Sequence, residues 1–221
     1  MSRSSGRQAF GALAVWFFVF APIVAPLLLG QSHAAAQAKP GVGQGDTTVG
    51  DEQYIAIPVR GLPGKMVWTI AFDPDGRPWV GTNRGGATQQ DDGTWQWLTK
   101  VDGLAGDTVK AYLFQPDGSM WVGTDRAIDV FATPVAREKT TEYTWSNGLA
   151  ASSAEDLAVD ASGGIWAAHL AEGVSYFDGE KWRKFTIDNG LADNWVYSIA
   201  VAPSGEVWFG TLGGASVYDG E

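Results

Sequence analysis

Beyond residue 60 the chain alternates short apolar runs with small polar turns, and the runs return at a nearly constant interval. "VWTIAF" (67–72), "VKAYLF" (109–114), "EDLAV" (155–159) and "VYSIAV" (196–201) are brief and rich in β-branched or aromatic residues, as strands are. Each meets a turn, "DPDG", "QPDG", "DASGG" or "APSG", where Pro presets φ and Gly supplies positive φ, so hairpins are predicted. A second strand follows each turn: "PWVGT", "MWVGT", "IWAAH", "VWFGT". After a Gly-bearing turn comes a third, clearest in "VSYF" and "ASVY", and after "DG" a fourth, clearest in "KWRKFTI" (181–187). Past the N-terminal apolar segment no window longer than a turn or two has helical periodicity.

The interval identifies the architecture. Trp79, Trp121, Trp166 and Trp208 lie 42, 45 and 42 residues apart, and a Gly-Leu pair opens each unit, at Gly61, Gly103, Gly148 and Gly190. Four short antiparallel strands in a repeating unit of this length make a β-propeller blade. Both faces of a blade pack on neighbours, which accounts for apolar residues at adjacent as well as alternate positions. A β-sandwich would fit the strand lengths but not the constant period. The prediction is an all-β chain of about four blades, in units 62–103, 104–148, 149–190 and 191–221. The four tryptophans, alike in every unit, are expected to be blade packing.

The last unit lacks its fourth strand, and "DEQYIAIPVRG" (51–61) reads like the fourth-strand phrase "GEKWRKFTIDNG". Together they have the length of one unit. Two expectations stand: 51–61 completes the last blade and closes a four-bladed ring, or the chain is a fragment of a larger propeller. Closure matters because an open ring leaves apolar faces and strand edges in water.

Upstream, Arg3 and Arg7 precede an apolar run from Ala9 to Leu29 and small-residue sites ending at Ala36 or Ala38. That order is a secretory signal peptide, residues 1–38. A retained membrane anchor is the alternative, since the run is 21 residues long; Pro22 and Pro26 favour cleavage. Residues 39–50, Gly-rich and polar, read as a flexible linker. The propeller is thus expected outside the cytoplasm: periplasmic, on the cell surface or secreted. Membrane contact is expected only if the N-terminal segment stays uncleaved.

Composition narrows the partners. The net charge of −10 becomes more negative still once Arg3 and Arg7 are set aside, which repels phosphate backbones and argues against nucleic acid. The chain has no cysteine, which removes disulfides, thiolate nucleophiles and Cys-ligated metals. Asp73 and Asp75 in "DPDG" lack the other ligands of a calcium loop and read as a plain turn. No cofactor or metal motif is present.

"NGLADNWVYSIAVAPSGEVWFGTLGGASVYDG" and "GLAGDTVKAYLFQPDGSMWVGT" resemble the two-component regulator propeller repeat family: Asn-Gly-Leu, an apolar strand, a Gly turn, Trp-x-Gly-Thr and a closing aromatic-Asp-Gly. The resemblance covers residues 61–221, with departures at "IWAAH" and at the longer "ATPVAREKTTEYTW". It implies the input domain of a two-component signalling system, a non-enzymatic sensory module whose ligand is a small molecule or glycan. A kinase or envelope protein would be its partner. The alternatives are an envelope interaction scaffold and a propeller lyase or glycosidase.

Within a repeat, like positions with unlike residues are the candidates for binding. Loops preceding the inner strands and loops joining the second and third strands share one propeller face. Trp68, Lys110, Glu155 and Tyr197 occupy one aligned position there. Asp193, Asn194 and Trp195 come from the first loop set, and Arg84 and Arg126 from the second. Aromatics beside carboxylates and amides suit a sugar-like ligand; the plain alternative is solvated loop residues. His169 takes the place of the Thr in Trp-x-Gly-Thr and could pair with Glu155, but one histidine without a nucleophile makes a poor catalyst. It stands among the ligand-binding candidates, although it reads as a tolerated substitution where a structural hydroxyl would otherwise sit.

Overall fold

The computed structural model describes residues 45–49, 52–56 and 59–220. The proposed signal peptide lies outside them. Two compact units are distinguished, Met1–Ile55 and Ala56–Glu221. In the first, strands β1 (Gly45–Val49) and β2 (Glu52–Ala56) form a two-stranded sheet. Part of the stretch read as a linker is therefore a strand, and Thr47, Thr48 and Val49 are β-branched, which suits one.

The second unit is all β apart from short 3-10 turns. The first blade contains β3 (Val67–Phe72), β4 (Pro78–Thr82), β5 (Gly85–Gln89) and β6 (Trp95–Leu98). The second contains β7 (Val109–Phe114), β8 (Met120–Thr124), β9 (Ile128–Phe131) and β10 (Lys139–Tyr143). The third contains β11 (Asp156–Val159), β12 (Ile165–His169), β13 (Gly173–Phe177) and β14 (Trp182–Phe185). The fourth contains β15 (Val196–Val201), β16 (Val207–Thr211) and β17 (Gly214–Tyr218). Within each sheet the strands pair antiparallel in chain order, as expected of propeller blades. Among the described residues the fourth sheet ends at β17, and Glu52–Ala56, part of the stretch 51–61 that one of the two expectations made its fourth strand, is paired with Gly45–Val49.

The Gly-Leu pair has a conformational origin. Blades are joined by 3-10 turns, Lys100–Asp102, Trp145–Asn147 and Ile187–Asn189, that stop at a glycine in the left-handed region. Gly103, Gly148 and Gly190 have φ of 105°, 113° and 103°, which an L side chain resists. The next N–H, from Leu104, Leu149 or Leu191, donates to the carbonyl of Thr99, Thr144 or Thr186 at 3.2 Å. That bond turns the leucine back toward the blades, and Leu104 and Leu149 are buried.

Residues opposite one another in antiparallel strands share a face, and the repeated tryptophan anchors the face turned to the next blade. Trp79 packs edge-on to Tyr112 (5.6 Å between ring centroids) and near Phe114 (6.0 Å). Trp121 meets Phe177 and Trp182 of the third blade, and Trp166 meets Phe209 (5.3 Å) and Tyr218 (5.1 Å) of the fourth. Each seam carries its own apolar cluster, so the core is three slabs between four sheets. Such ring contacts add about 0.5–1.5 kcal/mol each beyond area burial.

The series stops at Trp208. Relative exposure is 2%, 7% and 1% for Trp79, Trp121 and Trp166, but 47% for Trp208. Inner strands pack in succession, β3 on β7, β7 on β11 and β11 on β15. Among the described residues no comparable packing joins β15 to β3.

Candidate functional site

The shared face is built by backbone hydrogen bonds. The turn between second and third strands reaches the loop that precedes its own inner strand: Asn83 N–H donates to Met66 O, Asp125 N–H to Thr108 O and Leu212 N–H to Trp195 O, at 2.9–3.1 Å. The same turns also tie one blade to the next. Gly85 N–H donates to Asp107 O, and Gly173 N–H to Asn194 O (2.9 Å). The second-to-third seam runs the other way, with Ala154 N–H donating to Thr124 O at 3.0 Å. Both loop sets therefore lie on one side of the sheets.

On this side the pairing of the inner strand breaks. Register shifts fall between Val67 and Thr69, between Val109 and Ala111, and between Val196 and Ser198. The residues in the breaks are Trp68, Lys110 and Tyr197. Their counterpart Glu155 lies just before β11, its N–H donating to Ala168 O. A bulge leaves its extra residue out of the ladder and re-aims the side chain. The aligned position singled out in the sequence is thus a bulge in the first, second and fourth blades, and in the third it is the residue just before the inner strand.

Lys110 and Glu155 meet in an ion pair, joining the inner strands of the second and third blades. Trp68, Tyr197 and Trp195 stay open, at 51%, 48% and 43% relative exposure. Arg84 and Arg126 are exposed, and each is fixed at its backbone N–H by Thr82 or Thr124 Oγ1. Asp193 caps its own turn by accepting from Trp195 N–H at 2.8 Å. Asn194 Oδ1 accepts from Ile187 N–H at 2.8 Å, so this side chain serves the linker turn.

His169 is elsewhere in character. It is wholly buried, with Nδ1 2.6 Å from Ser153 O and Nε2 2.8 Å from Ser175 Oγ. Burial lowers its pKa from 6.5 to about 4, so it is neutral at physiological pH. In the other blades Thr82, Thr124 and Thr211 donate their hydroxyls to Gly85 O, Ala127 O and Gly214 O at 2.7–2.9 Å. His169 replaces that bond with two others, and Glu155 pairs with Lys110 instead.

The hairpin aspartates are also occupied. Asp73 accepts from the N–H groups of Asp75 and Arg77 through Oδ1 and from Trp79 Nε1 through Oδ2 at 3.1 Å. Asp160 repeats the pattern with Ser162, Gly164 and Trp166. No cluster of three or more metal-ligating side chains occurs among the described residues.

Three residues escape sequence reading. Asp129 and Asp156 carry carboxylates inside strands, and burial raises the pKa of both above the usual range. Asp156 Oδ2 accepts from Ile199 N–H of the next blade at 2.7 Å. The available signal was a charge inside an apolar phrase, "IDVF" and "EDLAV". The third, Arg137, comes from the long "ATPVAREKTTEYTW" segment, has φ of 52° and lies 5.7 Å from the Trp79 ring centroid. It lines a cleft with Asp73, Arg77, Trp79, Thr88 and Gln96.

Residues 61–84 and 190–213 match the family described as two component regulator propeller, in agreement with the resemblance read from the repeats. No curated protein matches the chain. Among solved structures, the chain is similar to the extracellular domain of a hybrid two-component system of B. thetaiotaomicron, at 19% identity and TM-score 0.68, covering 77% of this chain and 24% of that one. PorZ, a surface component of the type-IX secretion system of Porphyromonas gingivalis, is similar at 19% identity and TM-score 0.59, over 76% and 27%. Virginiamycin B lyase of Staphylococcus aureus is similar at 16% identity and TM-score 0.56, over 77% and 61%. These likenesses show the propeller fold. The chain spans about a quarter of the two-component and secretion-system structures.

Proposed function

We propose that the chain is a non-enzymatic sensory module acting outside the cytoplasmic membrane, and that it takes a small polar ligand, of glycan type, on the loop face. The observation carrying this reading is the repeated break in the inner strands. A structural repeat would keep such a position uniform, yet here it bears Trp68, Lys110, Glu155 and Tyr197. Exposed rings can stack on a sugar face while the Lys110–Glu155 pair and Arg84 supply hydrogen bonds. The family match at residues 61–84 and 190–213 supports a role in two-component sensing. A lyase or glycosidase acting through His169 is disfavoured, because the ring is buried and both nitrogens are engaged.

Glycan-array screening of the purified chain, followed by calorimetry on the best probe, tests this. Trp68→Ala and Tyr197→Ala should each weaken binding by about tenfold or more, since a stacked aromatic contributes on the order of 1–3 kcal/mol. Affinity unchanged in both variants, or no binding to any glycan, would overturn the reading.

A further inference from the structure

The seam between the first and second blades differs from the others in its polar groups, and the repeat shows where. The third-strand residue opposite the repeated tryptophan is Val130, Tyr176 or Val217 in the later blades, but Thr88 in the first. The inner-strand residue that meets this row from the next blade is Leu157 or Ile199 at the later seams, but Tyr112 here. Both hydroxyl-bearing residues are buried, Thr88 at 4% relative exposure. Neither Thr88 Oγ1 nor Tyr112 Oη has a hydrogen-bond partner among the described residues, and a buried hydroxyl left so is costly.

Arg137 brings a third such group to the same place. It comes from the segment that breaks the period, sits in left-handed backbone with φ of 52° and lies 5.7 Å from the Trp79 ring centroid. Nη1 donates to Trp97 O. Nε and Nη2, the two donors of one guanidinium edge, are buried and unpartnered among the described residues. Burial works against the charge and lowers its pKa. The other charges of the cleft are taken. Arg77 pairs with Asp75 at 2.8 Å and Asp91 at 3.6 Å, and Asp73 accepts from Trp79 Nε1 and two backbone N–H groups.

Every unpartnered atom at this seam can donate, and one group is a cation. The complement is a negatively charged acceptor with two oxygens in a plane. The cleft that Arg137 and Thr88 line has a volume of about 130 Å³, below the roughly 300–1,000 Å³ of pockets for larger ligands. We propose that this cleft binds a small organic carboxylate, which accepts from the Nε–Nη2 edge of Arg137 and from Thr88 Oγ1. A guanidinium edge matches a carboxylate with two parallel hydrogen bonds. Its donors are shielded from water and reach the ligand as the guanidinium turns into the cleft, so the pair escapes the screening of a surface ion pair. Asp73 and Arg77 belong to the hairpin joining β3 to β4, at the opposite end of the inner strand from the loop face. The carboxylate site and the proposed glycan face therefore stand or fall separately.

Isothermal titration calorimetry of the purified chain with sodium acetate, lactate and glycerate, at constant ionic strength in chloride, tests the proposal. Lactamide serves as the uncharged counterpart of lactate. Saturable binding of at least one acid is expected, and none of lactamide. Arg137→Gln should weaken binding about tenfold or more, and Arg137→Lys, which keeps the charge but loses the fork, about threefold or more. Thr88→Val installs the residue that the second and fourth blades carry at this position, so the fold is kept; it should weaken binding about threefold or more. Arg183→Gln, on the outer strand of the third blade, should leave the affinity unchanged. No binding of any of the three acids, equal binding of lactamide, or affinity unchanged in both Arg137→Gln and Thr88→Val would overturn the site.

Discussion

Asp129, with no side-chain exposure, accepts the backbone N–H of Ala105 through Oδ2 at 2.9 Å, while Lys139 Nζ lies 2.8 Å from Oδ1. The bond pins the loop after Gly103-Leu104 onto the third strand of the second blade. Ser175 does the same for Ala150 and Ser216 for Ala192, both at 2.8 Å. In the first blade the corresponding loop residue is Pro63, which has no N–H, and the corresponding strand residue is Ala87, which has no acceptor. Donor and acceptor are present together or absent together.

Removing one partner should therefore cost more than the bond itself. Asp129→Ala strands a part-buried N–H and leaves Lys139 without one carboxylate, so a loss of about 2–4 kcal/mol is expected. Urea unfolding at neutral pH measures it. A loss below about 0.5 kcal/mol would show that the loop is held by other contacts.

The absent pair can be installed. Pro63→Ala or Ala87→Ser alone introduces an unpaired polar group, whereas the double variant forms the Ser–N–H bond found in the third and fourth blades. A double-mutant cycle should give a favourable coupling of about 0.5–1.5 kcal/mol. Simple additivity would contradict the equivalence of the four loops.

His169 makes stability depend on pH. Its folded pKa is depressed to about 4 from 6.5, so the unfolded chain takes up the proton first as pH falls. Its contribution is complete above about pH 6.5 and is lost as pH drops toward 4, by about 3 kcal/mol in all. Thermal unfolding across that window, wild type against His169→Gln, should show a shallower acid slope in the variant. Parallel slopes would mean that His169 titrates normally.

The turn after β12 separates two backbone demands. Gly173 has φ of 80°, and an added Cβ would lie 2.1 Å from Phe185 O. Gly173→Ala should cost about 2–4 kcal/mol from strain and clash together. Ala171 has φ of 67°, so Ala171→Gly should be neutral or stabilising by up to about 1 kcal/mol. Midpoints of chemical denaturation with opposite ordering would refute the turn geometry.

The blades were legible because their cause is local and periodic. Turn glycines, β-branched runs and a tryptophan every forty-odd residues each fix a piece of one blade, and repetition averages out the exceptions. The aligned position of Trp68, Lys110, Glu155 and Tyr197 was legible for the same reason, as variation set against a constant background. That Trp68, Lys110 and Tyr197 sit in bulges was not, since the register shift arises only once two strands pair. Asp129 and Asp156 were hidden because their partners, Ala105 and Ile199, are distant in sequence. Arg137 lies in the one segment that departs from the period. His169, one of the ligand-binding candidates, is buried with both ring nitrogens engaged, and its repeat position alone did not tell a buried side chain from an open one. The exposure of Trp208 was not legible, because its phrase "VWFGT" has the Trp-x-Gly-Thr pattern of buried units and exposure depends on what packs against it.

The central claim is that these sheets are held face to face by the indole of each unit against the next. Trp166 and Trp208 share residue type, strand and pairing, and differ in whether a blade covers them. Urea unfolding of Trp166→Ala and Trp208→Ala compares them directly. Trp166→Ala should lose about 3–5 kcal/mol and Trp208→Ala about 1 kcal/mol or less. Equal losses would mean that stability resides within each sheet rather than between them.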